Sequence, residues 1–414
     1  MKRPKRKILL VFHTAYTFQL IKDLGLEIFV TARNSAEVFD LAITVNPLAD
    51  LQTYVGQKIP RQSPSRYILD EKNIIIEGYS GRFSALNRMP RLNFLCAQLS
   101  LMAYLIKNGY LKDIKLVRGE DPRFNGIYAF AFSRILRAPL IIGLWGNPAR
   151  LRKLNNIPVM PRMFNSISKE EKLEKFVLSH ASLVLAQNSE NISYALDAGV
   201  PTNKTAITPL GIGIDDSHFV QPNERPDFST ELQKMGLNDD ILFVCISRLE
   251  SIKMVDHAIR ACALVSNSGA NFKLLIVGEG RDRKSLQDLV LELGLQKSVI
   301  FVGNKSQDWI AALMPHVYLN IAPLCGRSLL EASLSGCPAV AYDVDWHADI
   351  VLDGITGYLS PNLNYHDLGN NILKMMEDVS SRQIFGENMR KLALSVSEPK
   401  ILVKSQENIY KSLL

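Results

Sequence analysis

Two stretches of this 414-residue chain place charge where an anion could sit. In Ser247-Arg248-Leu-Glu-Ser-Ile-Lys253 an arginine and a lysine directly follow the apolar run Ile241–Ile246. A loop leading from a strand into a helix is a natural anion site. Arginine grips phosphate oxygens with a fork of donors, and lysine adds a compact charge. A departing diphosphate gains charge as its bond breaks, so fixed cations there would lower the barrier. The same pair also reads as a solvated surface loop. In Pro323-Leu-Cys-Gly326-Arg327-Ser328-Leu-Leu-Glu331-Ala332, Gly326 permits close backbone approach. The N–H groups of Arg327 and Ser328 open a helix and can hold phosphate. Glu331, about one turn in, can accept hydrogen bonds from ribose hydroxyls, or it can simply complement the helix dipole. Leu274-Leu-Ile-Val277-Gly278-Glu279-Gly280 is a strand and a glycine turn, suited to close approach of a ligand or a neighbour. It is not a dinucleotide fingerprint.

A second group of candidates lies earlier. Leu116-Val-Arg118-Gly-Glu120-Asp121-Pro122 follows one apolar run and precedes a helix, so either acid could orient or deprotonate a hydroxyl. Both also read as helix-start acids before a proline. His13 follows the first apolar run and is a contact or a structural histidine. Asp343, Asp345, Trp346, His347 and Asp349 crowd together, but their spacing fits no standard metal site. The five cysteines form no CxxC pair and are expected reduced.

These residues need elements to hold them. Continuous apolar runs at 7–12, 27–31, 41–45, 74–76, 114–118, 140–144 and 183–186 read as strands buried on both faces. Helical stretches at 90–108, 126–136 and 170–179 separate several of them. The second half alternates strands at 241–246, 273–277, 299–302, 317–321 and 339–342 with helices at 255–265, 284–293, 308–314 and 328–335. Such alternation predicts α/β architecture, two doubly wound Rossmann-like domains. The expected boundaries are 1–215, a Pro- and Asn-containing linker at 216–240, a second domain at 241–384, and terminal helices at 385–414. Ligands in such sheets bind beyond the carboxyl ends of the strands, which predicts one cleft between facing domains.

The order Arg248…Lys253, Val277-Gly278-Glu279-Gly280, Phe301-Val302-Gly303, Gly326 to Ala332, Gly336-Cys-Pro338-Ala-Val-Ala-Tyr-Asp343 and Asp353-Gly-Ile-Thr-Gly357 strongly resembles the donor domain of glycosyltransferase family 4. Leu183-Val-Leu-Ala-Gln-Asn-Ser189 and Gly199-Val-Pro201…Pro209-Leu-Gly211-Ile-Gly213-Ile-Asp215 resemble that family's segment leading into its linker. The resemblance implies the GT-B fold with an interdomain cleft, an acceptor-binding first domain, terminal helices crossing back to it, and retention of anomeric configuration. It implies no metal and no cofactor beyond a nucleotide-diphosphate sugar. Arg248 and Lys253 would hold the diphosphate, Glu331 the ribose, Gly326 to Ser328 the distal phosphate or sugar, and Val302, Gly303 and Asn304 the base. Gly278 would line the donor. His13, Arg118 and Trp145 would lie on the acceptor or sugar side, with Glu120 and Asp121 as catalytic acids. Three positions depart from the pattern. Pro323 replaces a glutamate, Phe12-His13-Thr14-Ala15-Tyr16 replaces a glycine pair, and Trp145-Gly146-Asn147 replaces a His-Gly. The implied activity is sugar transfer to a glycan or lipid-linked acceptor in cell-surface polysaccharide or glycolipid synthesis. A non-catalytic partner subunit and a sugar-nucleotide epimerase are the alternatives.

Charge is uneven. Residues 1–215 carry 29 Lys+Arg against 17 Asp+Glu, and the rest 19 against 24, within a net charge of +7. Lys2, Arg3, Lys5, Arg6 and Lys7 crowd the start; Arg82, Arg88, Arg91 and Lys107 flank the apolar stretch Phe94–Ile106. That stretch is too short to span a bilayer. It predicts either a core helix or peripheral docking on anionic lipid. Ile8–Phe12 is too short for a signal peptide. The expected location is cytoplasmic, peripheral on the inner face of a membrane if docking occurs. No interleaved aromatic and basic motif points to nucleic acid.

Overall fold

The computed structural model describes residues 6–414 except 24, 33, 35–36, 52–61, 162, 209–212 and 238–239. Lys2, Arg3, Lys5 and the 209–212 part of the pre-linker motif therefore lie outside the described residues. Two compact units emerge: Met1–Gly213 with Lys400–Leu414, and Ile214–Pro399.

The first unit is built on strands β1 (Ile8–Phe12), β2 (Leu41–Asn46), β3 (Ser65–Ile68), β4 (Asn73–Glu77), β5 (Ile114–Gly119), β6 (Leu140–Leu144), β7 (Leu183–Ala186) and β8 (Thr205–Ile207). They form one sheet in the order β3-β4-β2-β1-β5-β6-β7-β8. All pairings are parallel except β3 with β4. β1, β4, β6 and β7 are buried along their whole length, as expected of parallel strands covered on both faces. The chain winds outward one way from β1 and the other way from β5, so the topological switch lies between them.

Residues 27–31 are not a strand. They belong to the helix Glu27–Ala32. Leu26 and Val30 turn inward against Ile21 and Ile75, while Ile28 stays exposed. That four-residue step suits a helix and not a strand.

The second unit carries β9 (Leu242–Ile246), β10 (Lys273–Val277), β11 (Val299–Gly303), β12 (Leu319–Ala322), β13 (Ala339–Tyr342) and β14 (Gly357–Ser360). The order is β11-β10-β9-β12-β13-β14, all parallel, with the switch between β9 and β12.

Residues 216–240 are not a free linker. Phe228, Leu232 and Leu237 are buried in a core shared with Val244 and Leu313, and Phe228 meets the Trp309 ring edge-on at 5.0 Å. Arg225 ties the segment down by donating to the carbonyls of Val220, Ala311 and His218 and to Ser335 Oγ. Burial and the nearby Arg390 charge lower it to about 10. The terminal boundary also moves. The helix Val379–Ser397 packs with the second unit, burying Phe385, Met389 and Ala393. Only residues from Lys400 on belong to the first unit. There Tyr410 is buried beside Leu9, Val11 and Leu116.

Candidate functional site

In the second unit the two charged motifs occupy the β9/β12 switch. β9 runs into Ser247–Lys253, and β12 runs into Pro323–Gly326 and the helix Arg327–Leu334. The first loop is held by the glycine turn after β10. Ser247 N donates to the Val277 carbonyl at 3.0 Å and Leu249 N to Glu279 at 3.0 Å. A Cβ on Gly278 would lie 2.0 Å from the Ser247 carbonyl oxygen, and one on Gly280 2.2 Å from that of Leu249. The neighbour that Gly278 accommodates is thus the Arg248 loop itself. Gly278 thereby positions that loop. The second loop is pinned by Ser328 Oγ, which donates to the Ile246 carbonyl at 2.8 Å. It is also pinned by His347, whose Nε2 accepts from Cys325 N at 3.3 Å and whose Nδ1 lies 3.0 Å from the Tyr342 carbonyl. Nε2 is thereby the acceptor, so the ring proton sits on Nδ1 and is donated to Tyr342.

Arg248 is 58% exposed and pairs with Glu250 at 2.9 Å. Such a solvated pair is weak, so the guanidinium can turn to a stronger anion. Lys253 is half-buried at the end of a 3-10 turn. Met254, with φ of 53°, closes that turn in the left-handed region and starts the next helix. The Lys253 ammonium has no hydrogen-bond or ion-pair partner among the described residues. Burial lowers its pKa, helped by the Arg248 charge and opposed by Cys325, Asp345 and Glu250. Glu331 is 3% exposed, and its carboxylate likewise has no partner among the described residues. The Cys325 thiol marks the convergence. Burial pushes it up to about 11, Lys253 pulls it down and Glu331 raises it. A cation, a carboxylate and a helix N-terminus thus meet around one buried thiol. Val302 and Gly303 end β11 at the sheet edge, and Asn304 follows directly. They lie two strand spacings, roughly 10 Å, from β9.

In the first unit the β1/β5 switch gathers His13, Arg118 and Glu120, which line one small cavity with Asn34 and Thr44. These groups are tied to one another. Arg118 and Glu120, 2% and 5% exposed, form an ion pair at 2.7 Å. Arg118 also donates to Asn34 Oδ1 at 2.8 Å and to the Tyr410 hydroxyl. Trp145 Nε1 donates to the other Glu120 oxygen. Both carboxylate oxygens are therefore occupied, which makes Glu120 a clamp in place of an open base. Asp121 accepts from Arg123 N at 2.7 Å and from the Asn125 amide. Burial raises its pKa against those bonds and the Arg123 charge. Asn125 also reaches Thr14 Oγ1 at 3.1 Å, joining the loops after β1 and β5.

Residues 227–392 match the family model for glycosyl transferases group 1. The second unit is a group 1 glycosyl transferase domain. The chain is 34% identical over 160 residues to the poly(glycerol-phosphate) alpha-glucosyltransferase of Bacillus subtilis, covering 38% of this chain and 24% of that protein. It is 22% identical over 271 residues to the alpha-D-kanosaminyltransferase of Streptomyces kanamyceticus, covering 63% and 67%. The chain thus spans about a quarter of the length of the first relative and two thirds of the second. Among solved structures, Anabaena HepE in complex with UDP and glucose superposes with a TM-score of 0.72 at 19% identity, over 99% of this chain and all of that one. WaaG, a glycosyltransferase involved in lipopolysaccharide biosynthesis, gives 0.64 at 16% identity, over 97% and 99%. The fold is GT-B.

The group 1 domain thus brings together Arg248, Lys253, Gly326, Arg327, Ser328 and Glu331 at one switch point. Among the described residues no set of three His, Cys, Asp or Glu side chains is arranged for a metal ion. In the crowded Asp343–Asp349 segment His347 is a buried strut between loops. Sequence reasoning missed the contacts of His347, the place of Tyr410 and the Trp145–Glu120 bond. Tyr410 meets Arg118 across 292 positions, a pairing that no local pattern announces. Trp145 carried a signal: an indole donor at a strand end needs an acceptor when buried.

Proposed function

We propose that the chain transfers a glycosyl group from a nucleoside-diphosphate sugar to a glycan or lipid-linked acceptor in cell-surface polymer synthesis. The observation that carries this reading is the pair of sheltered charges, Lys253 and Glu331, unpartnered among the described residues and beside the N-terminus of the helix Arg327–Leu334. A buried charge without a partner costs stability, so its retention fits a ligand that completes it. The diphosphate would lie against Lys253, Arg248 and the first N–H groups of that helix. Glu331 would accept from the ribose hydroxyls. As the bond to the anomeric carbon breaks, charge grows on the distal phosphate, where these cations would offset it. They supply the neutralisation that would otherwise fall to a metal ion, so transfer is expected to survive chelation.

Uridine is the favoured base, supported by the UDP and UDP-glucose held by Anabaena HepE. Cell-envelope acceptors are supported by relatives such as the capsular polysaccharide glycosyltransferase CapM of Staphylococcus aureus. Placement in family 4, and with it retention, rests on the order of the six motifs.

Calorimetry with UDP, ADP and GDP tests the site first, because a bound nucleotide also stabilises the fold by mass action. Transfer from UDP-sugars to a glycan panel, with the product's anomeric configuration read by proton NMR, tests the reaction. A protein that binds none of the three diphosphates would overturn the proposal. One that binds UDP and interconverts free sugar nucleotide without acceptor would be an epimerase.

A further inference from the structure

The helix Pro90–Lys107 turns one side to the sheet, burying Asn93, Ala97, Leu101 and Leu105. Its other side is apolar as well. Leu92, Leu95, Leu99 and Ile106 stand in solvent, Leu95 at 53% and Leu99 at 60% exposure. With Ala103 they recur at three- and four-residue steps, forming a ridge about 21 Å long. No charged residue occurs from 92 to 106, whereas the outer face of a surface helix is ordinarily polar. Contiguous exposed apolar surface of this kind marks an interaction site.

The segment before the helix extends the face. Phe83 and Met89 are exposed. Buried Asn93 holds Phe83 in place, accepting from the N–H groups of Arg82 at 2.8 Å and Phe83 at 3.0 Å and donating to the Phe83 carbonyl at 2.8 Å. Arg82 donates to Ser100 Oγ and lies 5.3 Å from the Phe83 ring centroid, so its cation runs alongside the ridge. From Gly78 to Lys112 the chain contains no acid. Its basic residues there, Arg82, Arg88, Arg91, Lys107 and Lys112, are all exposed.

We propose that this face docks on the headgroup layer of an anionic lipid bilayer. Leucines and Phe83 would enter the acyl boundary, and the arginines and lysines at both ends of the ridge would meet lipid phosphates. The charge pattern selects this occupant over a second copy of the chain. A two-fold contact sets the same patch against itself, which would bring basic residues together with no acid between them. Among the described residues no helix is long and apolar enough to cross a membrane, so the contact is in-plane. The inference is independent of the transfer reaction.

The test is co-sedimentation of the full chain with vesicles of phosphatidylcholine alone and of phosphatidylcholine mixed with phosphatidylglycerol, at low and high salt. Binding is expected to the anionic vesicles and to weaken with salt. The double variant Leu95→Glu, Leu99→Glu should bind at least about tenfold more weakly while its unfolding midpoint and UDP affinity stay those of the wild type, since both side chains are already exposed. Arg88→Ala with Arg91→Ala should lose about fivefold per cation on anionic vesicles alone. Equal or negligible binding of the wild type to both vesicle types overturns the proposal. So does a Leu95→Glu, Leu99→Glu protein that binds like the wild type. A wild type that self-associates in solution, with the glutamate variant monomeric and vesicle binding absent, would reassign the face to self-assembly.

Discussion

The two switch points of this molecule use charge in opposite ways. Beyond β9 and β12, Lys253 and Glu331 keep their charged atoms unpartnered among the described residues, and Arg248 has only a solvated pair. Beyond β1 and β5, Arg118 and Glu120 are bound to each other and to Tyr410 and Trp145, and Asp121 is bound to Arg123 and Asn125. Both sets of residues sit where a ligand can approach the carboxyl ends of a parallel sheet. Position alone does not distinguish a binding group from a framework group. Pairing does: a sheltered charge left open is a cost that a ligand can offset, whereas a closed network holds loops in place.

The contrast can be broken most forcefully at Glu120. If it clamps Arg118, Glu120→Ala strands a buried guanidinium and should lower stability by about 3–5 kcal/mol in urea unfolding. Glu120→Gln, which keeps an acceptor, should cost less. A Glu120→Gln protein with wild-type stability and no transfer would move Glu120 into the reaction and erase the difference between the two crevices. Next in size come the open cations. Arg248→Ala and Lys253→Ala should each lower turnover by about 10²-fold or more, with the unfolding midpoint unchanged for Arg248→Ala and held or raised for Lys253→Ala. Near wild-type rates in the double variant would show that neither faces the leaving group. Glu331 sharpens the contrast further. Glu331→Gln should weaken UDP binding roughly tenfold in calorimetry, because hydrogen bonds to a charged acceptor are the stronger ones. Its thermal midpoint should hold or rise, since the buried charge is gone. Unaltered UDP affinity would leave Glu331 as a charge facing only the helix dipole.

The second unit was the more legible in the sequence because its signals are local. β9, β10, β12 and β13 are continuous apolar runs, each followed within a few residues by its motif. That Arg248, Lys253 and Gly326 to Glu331 follow two strands of one sheet was legible without knowledge of their contacts. Gly278 shows the limit: a glycine reports a close approach, but the Ser247 backbone as its neighbour is a tertiary fact. The first unit hid more. Glu27–Ala32 is short and β-branched, so composition favoured a strand until Leu26 and Val30 packed on one side. The second unit hid one segment too, since the polar stretch 216–240 concealed three apolar anchors, Phe228, Leu232 and Leu237. The Arg118–Tyr410 bond joins the start of the chain to its end, beyond the reach of any spacing rule. Phe94–Ile106 was ambiguous for a different reason: apolar residues on every face leave no periodicity to tell core from surface.

The subtlest consequence of the open crevice is a proton. Burial and Arg248 hold Lys253 below the ordinary lysine value of 10.5 in the free protein. The unfolded chain therefore keeps that proton to higher pH than the folded one, and the stability that Lys253 withholds returns as pH rises through the window. A diphosphate beside the ammonium favours the charged form and raises the pKa. Nucleotide binding is then linked to proton uptake. Affinity is complete below the free-state pKa and declines as pH climbs through it toward the bound-state value. UDP affinity is therefore expected to fall across the alkaline window. Calorimetry in buffers of different ionisation enthalpy would detect the proton directly. Lys253→Arg supplies the control, because a guanidinium stays charged throughout. Its binding profile should be flat on the alkaline side. If Lys253→Arg and the wild type decline together, the titrating group is another residue, and the Lys253 ammonium does not face the diphosphate.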